Sequence, residues 1–250
     1  MPDAAAALES LVTRDRRVTG VALCAVTVVA WIDLAFMARD MGALGTTVDW
    51  SPGYFAAMFA MWAIMMLGMM IPSAAPAILL VSALRRHSHA GGLGATALFT
   101  AGYVVAWTGF SLLATAAQMA LSEASLLSSW MASEGPGLGG VLFIAAGLYQ
   151  FSPLKRACLS KCRSPARFLV ERWRDTRLGP LVVGIEHGAY CVGCCWAVMA
   201  LLFVFGVMNL LWVALLAAFV LIEKLASPGA RVDACSGIVM LGVGLVLLYT

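Results

Sequence analysis

Two groups of sulfur-bearing residues are set apart by type and spacing. The first reads Glu186-His187-Gly188-Ala189-Tyr190-Cys191-Val192-Gly193-Cys194-Cys195-Trp196. His187, Cys191 and Cys195 recur every four residues, and Cys194 follows Cys191 by three. On an α-helix these four side chains fall within about 100° of one face, where an imidazole and several thiols can surround a single ion. Upstream, Cys158-Leu159-Ser160-Lys161-Cys162 puts two more thiols one helical turn apart. Lys161 and Arg163 beside them are expected to favour the thiolate, the form that binds metal. No second C-x-x-C lies at finger spacing, so this is not a zinc-finger pattern. The vicinal pair Cys194-Cys195 also admits cycling between dithiol and disulfide, and apolar packing is the third use of such residues.

The second group is Met58, Met61, Met65, Met66, Met69 and Met70, followed by Pro72 and Pro76. Met58, Met61, Met65 and Met69 follow spacings of three and four and share one helical stripe. A proline removes a donor and frees the carbonyl a turn earlier, here near Gly68. The expectation is a helix broken at this point, as in transporters whose broken helices build the substrate site.

Thiol and thioether together select Cu(I). The candidate ligands are Cys158, Cys162, His187, Cys191, Cys194 and Cys195, with Met58, Met61, Met65 and Met69. The expected ion is copper, with zinc as the alternative. Any one of these sulfurs could be ordinary apolar filler; their clustering favours a metal.

The elements that must carry these residues are membrane helices. Apolar residues make up 62% of the 250 and charged residues 12%, far from the usual soluble proportions, and mean hydropathy is +0.92. The apolar residues fall into blocks near the length that crosses a bilayer. The expected fold is all-α, a polytopic transmembrane bundle of about seven helices forming a single domain over 1–250. The segments run from about Val18 to Met37, Tyr54 to Leu84, Leu93 to Leu121, Leu138 to Phe151, Leu181 to Phe205, Leu210 to Ile222 and Ala234 to Leu248. The first reads as an uncleaved helix rather than a signal peptide, since no A-x-A site follows it.

Basic residues assign the sides. Arg14, Arg16 and Arg17, then Arg85 and Arg86, then the long stretch 152–180, then Lys224 and Arg231 fall in alternate connections. The remaining connections hold Arg39 among Asp40, Asp49, Glu123 and Glu134. This places the N-terminus on the cytoplasmic side and the C-terminus outside. Cysteines then lean inward and methionines, including Met37, Met119, Met131 and Met208, lean outward. The polar loop 152–180 carries eight Lys or Arg against Glu171 and Asp175. It is expected to touch anionic headgroups or to dock a protein partner. A net charge of +3 is too small and scattered for nucleic acid. Asp33, Glu186, Glu223 and Lys224 are ionisable groups at membrane depth and functional candidates, with Glu223 and Lys224 expected to pair or snorkel. Gln118, Gln150 and Asn209 are expected to hydrogen-bond between helices. His87 and His89 are expected to be solvated.

Three motifs carry a resemblance. They are Met61-Trp62 with Met65, Met69-Met70, Pro72 and Pro76; Gly147-Leu148-Tyr149-Gln150 with Pro153-Leu154-Lys155, Cys158, Cys162 and Arg163-Ser164-Pro165; and Gly188, Cys191, Gly193-Cys194-Cys195-Trp196 with Met208-Asn209 and Glu223-Lys224. Together they resemble a bacterial family of predicted metal-binding integral membrane proteins of unknown function, over about residues 55 to 225. The resemblance implies several membrane helices and a metal site, and supplies no reaction.

The expected function is binding of a soft transition metal for transport or delivery. There is no Walker A motif or phosphorylation domain, so movement of the ion would be passive, ion-coupled or partner-driven. The alternatives are a membrane thiol or copper oxidoreductase, and a non-catalytic subunit that docks a partner through its basic loop. Whether the protein is an enzyme stays open at this point.

Overall fold

The structure is a computed structural model that describes residues 2–41, 50–84, 92–128, 131–226 and 232–249. Arg85, Arg86, His87, His89, Asp49 and Arg231 lie outside them, as do the side chains of Arg14 and Asp40. Ten helices occur among the described residues: α1 Pro2–Met41, α2 Pro52–Leu84, α3 Gly92–Glu123, α4 Pro136–Gln150, α5 Pro153–Arg163, α6 Pro165–Arg172, α7 Gly179–Ala200, α8 Leu202–Phe205, α9 Leu210–Leu225 and α10 Val232–Tyr249. The expected all-α bundle is observed.

All seven expected segments are helical, but they differ in reach. Five are long and apolar enough to cross a membrane: Arg16–Arg39, Pro52–Ala83, Leu93–Glu123, Gly179–Phe205 and Val232–Tyr249. A sixth is obtained if α4 and α5, bent by 67° at their junction, form one broken span. α9 has 16 residues. At 1.5 Å per residue it is about 24 Å long, short of the roughly 30 Å hydrocarbon core.

The expected break in α2 does not occur. The helix runs unbroken through Pro72 and Pro76. Its freed carbonyl is satisfied from outside, since the Trp31 indole of α1 donates to the Gly68 oxygen at 3.3 Å. A neighbouring helix thus supplies the donor that Pro72 lacks.

The stretch 152–180, expected as a polar connection, is largely helical. It folds into α5 and α6, each opened by a proline at its first position. Ser152 caps α5 by accepting from the Leu154 amide at 3.1 Å. Lys155, Cys158, Leu159, Phe168 and Leu169 turn inward and are buried, while Arg156, Arg167 and Arg172 stay exposed. The basic residues made this amphipathic pair look like a loop.

Close approaches set the helix crossings. Side-chain carbons on Gly102, Gly184 and Gly188 would collide with the facing helix, so α3 and α7 pack nearly backbone to backbone. This brings Tyr103 of α3 against the cysteine face of α7. A second seam joins α4 and α10 through Gly140, Gly147, Gly237 and Gly244.

Candidate metal centre

Cys191, Cys194 and Cys195 of α7 are each about 1% exposed. The Tyr103 hydroxyl lies 3.0 Å from the Cys191 sulfur and donates to the Met70 carbonyl of α2 at 3.1 Å. Lys224 at the end of α9 puts its ammonium 2.8 Å from the same sulfur and 2.8 Å from the Ser73 hydroxyl. Ser73 in turn donates to the Met70 carbonyl. α3 and α9 therefore meet on Cys191, and α2 is tied to both through Ser73 and the Met70 carbonyl, at the point where its methionine stripe gives way to its prolines.

α5 closes the cluster from one side. The Cys162 and Cys194 sulfurs are 4.0 Å apart. Cys158 packs against Gly193, and a side-chain carbon there would come within 2.8 Å of its sulfur. The Tyr149 hydroxyl also donates to the Gly193 carbonyl. A glycine at 193 thus admits both a thiol and a phenol from the α4–α5 corner. The Cys194 and Cys195 thiols turn back to donate to the Cys191 carbonyl at 3.1 and 2.9 Å.

Charges near the cluster are assigned differently from the sequence expectation. Lys161 does not face the thiols; it binds Glu171 at 2.8 Å. Arg163 binds Asp233 at 2.9 Å and the Glu223 carbonyl at 2.9 Å. The cation on the sulfur is Lys224. Glu223 does not pair with it, and both its oxygens accept from Lys155 at 2.8 Å in a buried ion pair. Glu186 lies away from the sulfurs and binds Arg174 at 2.6 Å.

His187 is buried among the rings of Phe99, Tyr103 and Phe168, with centroids 5.1 to 6.0 Å away. Its Nδ1 has no hydrogen-bond partner. It shares a small cavity of about 60 Å³ with Ser73, Tyr103, Cys162, Arg163 and Lys224. His187 thus borders the cluster without joining its sulfur contacts. Cys24 and Cys235 are exposed on the flanks and take no part.

Met58, Met61, Met65, Met66, Met69 and Met70 are all buried, at 6% exposure or less. The stripe read from the sequence faces the protein interior. Among the described residues, no three His, Cys, Asp or Glu side chains converge as a ready-made metal site. Cys194 and Cys195 donate to a backbone carbonyl and Cys191 faces an ammonium. The donor chemistry is nonetheless that of a soft, thiophilic ion.

Residues 59–247 match the model of the PpoB2 family, described as copper chaperone. The chain belongs to that copper chaperone family. Membership associates it with copper. Neither the curated proteins nor the solved structures give a match.

In this family member the sequence motifs pointed to the sulfurs and missed what surrounds them. Tyr103 and Ser73 carry no local mark, because each acquires its contact only when helices cross. Lys224 did carry one, as a lysine ending an apolar helix, but its partner is not its neighbour Glu223.

Proposed function

We propose that this copper chaperone family member is a multi-pass protein of the bacterial inner membrane, N-terminus in the cytoplasm, that binds Cu(I) and delivers it to an acceptor. The thiols of Cys158, Cys162, Cys191, Cys194 and Cys195 hold the ion. Met58, Met61, Met65 and Met69 offer a weaker thioether path along α2, and His187 borders the thiol site. The observation that carries this reading is the 4.0 Å approach of Cys162 on α5 to Cys194 on α7, beside Cys191. Thiols far apart in sequence are gathered in one buried place, and sulfur donors select Cu(I).

Loading would require Cys194 to leave the Cys191 carbonyl and Lys224 to leave the Cys191 sulfur. The Lys224 ammonium, 2.8 Å from that sulfur, would balance a thiolate charge there until a copper ion took its place. The exposed basic faces of α5 and α6 lie next to the cluster and suit anionic headgroups or an acidic acceptor protein.

The test is the copper content of protein purified without oxygen and with thiols reduced. Copper should be retained in Cys24→Ser and Cys235→Ser and lost in Cys191→Ser and Cys194→Ser. Wild-type protein that holds no copper above background overturns the reading.

The same sulfur pair favours a second reading. Cys162 and Cys194, with sulfurs 4.0 Å apart, are the pair that a membrane thiol oxidoreductase would close into a disulfide, giving up two electrons and two protons to an external oxidant. Reversible loss of exactly these two thiols on oxidation, in protein that takes up no copper, would support it.

A further inference from the structure

Gln118, near the end of α3, has its amide nitrogen 2.9 Å from the Met131 sulfur and 3.7 Å from the Met58 sulfur. Its carbonyl oxygen accepts from the Trp62 indole at 2.6 Å. An indole N–H can only donate, so this bond fixes which end of the amide is which. The NH2 group is thereby turned toward two thioethers. Thioether sulfur is a weak acceptor, so a buried amide aimed at two of them is poorly compensated. All four side chains are buried, with exposures of 6% for Met58, 4% for Met131, 1% for Gln118 and 0% for Trp62.

Met131 reaches this place at some conformational cost. Its φ is +55°, in the left-handed region that a side chain like this seldom adopts. The surrounding connection is held by backbone bonds. Ser128 N–H donates to the Ala132 carbonyl and Met131 N–H to the Ser128 carbonyl, while Ser133 N–H donates to the Phe203 carbonyl of α8. A strained residue persists where its surroundings over-determine it, and here they direct a sulfur into the bundle.

We propose that Met58 and Met131 form a second site for a soft monovalent cation, with Gln118 as the neutral group that holds the two sulfurs in place when the site is empty. A Cu(I) or Ag(I) ion would displace the NH2 group from between them. Met61, fully buried one turn along α2 from Met58, stands next on the stripe. The site lies about 22 Å from Ser73 and the thiol cluster, by the rise of α2 over 15 residues. It is a thioether station at the far end of the methionine stripe. Its role as a way-station for cargo rests on the function proposed above, while its existence as a binding site does not.

Thioethers do not protonate, so the two sites separate by chemistry. The experiment is titration of the reduced full-length protein, labelled with 13C-methyl methionine, with Ag(I), a soft ion that stays monovalent. The methyl resonances of Met58 and Met131 should shift together as an Ag(I) equivalent binds beyond those taken by the thiols. That equivalent should be lost in Met58→Leu and in Met131→Leu, substitutions that keep side-chain volume, while the thiol-bound silver is unchanged. Resonances that stay put, or an equivalent that survives both substitutions, overturn the proposal. A protein that shows the methionine shifts but binds no metal at its thiols would retain this site and refute the thiol-site reading.

Discussion

The Lys224 ammonium sits 2.8 Å from the sulfur of Cys191, inside the bundle and across 33 residues of sequence. A buried cation needs a partner, because leaving it uncompensated costs several kcal/mol. Lys224 finds its partners in a sulfur and the Ser73 hydroxyl rather than in a carboxylate. The adjacent carboxylate, Glu223, is already committed to Lys155. One helix end thus presents two charges to two different sites.

Replacing Cys191 by Ala strands the ammonium. The substitution should destabilise the protein by about 3 kcal/mol, read as thermal unfolding in detergent. Adding Lys224→Met should recover most of that loss. If the double variant is as unstable as Cys191→Ala alone, the two residues are not coupled.

Glu223→Gln should be costly for the same reason, since it leaves Lys155 buried with a neutral partner. A loss of about 3 to 5 kcal/mol is expected. Glu171→Gln, at an exposed bridge between solvated side chains, should change stability far less than Glu223→Gln. Equal effects at the two positions would show that burial does not set the difference.

Trp31→Phe removes the donor to the Gly68 carbonyl and should cost about 1 kcal/mol. In a Pro72→Ala background residue 72 regains an N–H, which can take that carbonyl within α2. The cost of Trp31→Phe should then fall toward zero. A double-mutant cycle of unfolding free energies checks this, and strict additivity would contradict it.

Glu171 joins α5 to α6, accepting from Lys161 at 2.8 Å and from Arg167 at 2.7 Å. These hydrogen bonds, Lys161 first, lower its pKa to about 2. A depressed carboxylate contributes above its unfolded value and loses that contribution as pH falls through the folded one. The tie between the helices should therefore hold at neutral pH and release only as pH approaches about 2. An NMR titration of the Glu171 carboxyl carbon should show its midpoint there, and a midpoint in the ordinary glutamate range would mean that the bridge does not form.

Much was legible in the sequence. Composition and block length marked the all-α bundle, since helix formation in an apolar run is a local property. The spacing of Met58, Met61, Met65 and Met69 and of Cys191, Cys194 and Cys195 marked shared helical stripes, and all of these residues are buried. Pro72 marked the freed carbonyl of Gly68, although the helix did not break there. In the stretch 152–180 the sequence shows the helical spacing of Cys158 and Cys162, while its charge density masks the full extent of the short amphipathic pair α5 and α6.

What the sequence determined by itself was therefore the helices, the stripes on which their sulfurs fall and the inventory of soft donors, because these depend on residues three or four positions apart. Tertiary structure alone decided the company each donor keeps. Lys224 reaches Ser73 across 151 residues, Tyr103 meets Cys191 across 88, and Gln118 joins Met58 across 60. Such pairs are set by where helices cross. On the α3–α7 seam that depends on glycines, which leave no side chain to hold the backbones apart and no pattern from which the partner could be read.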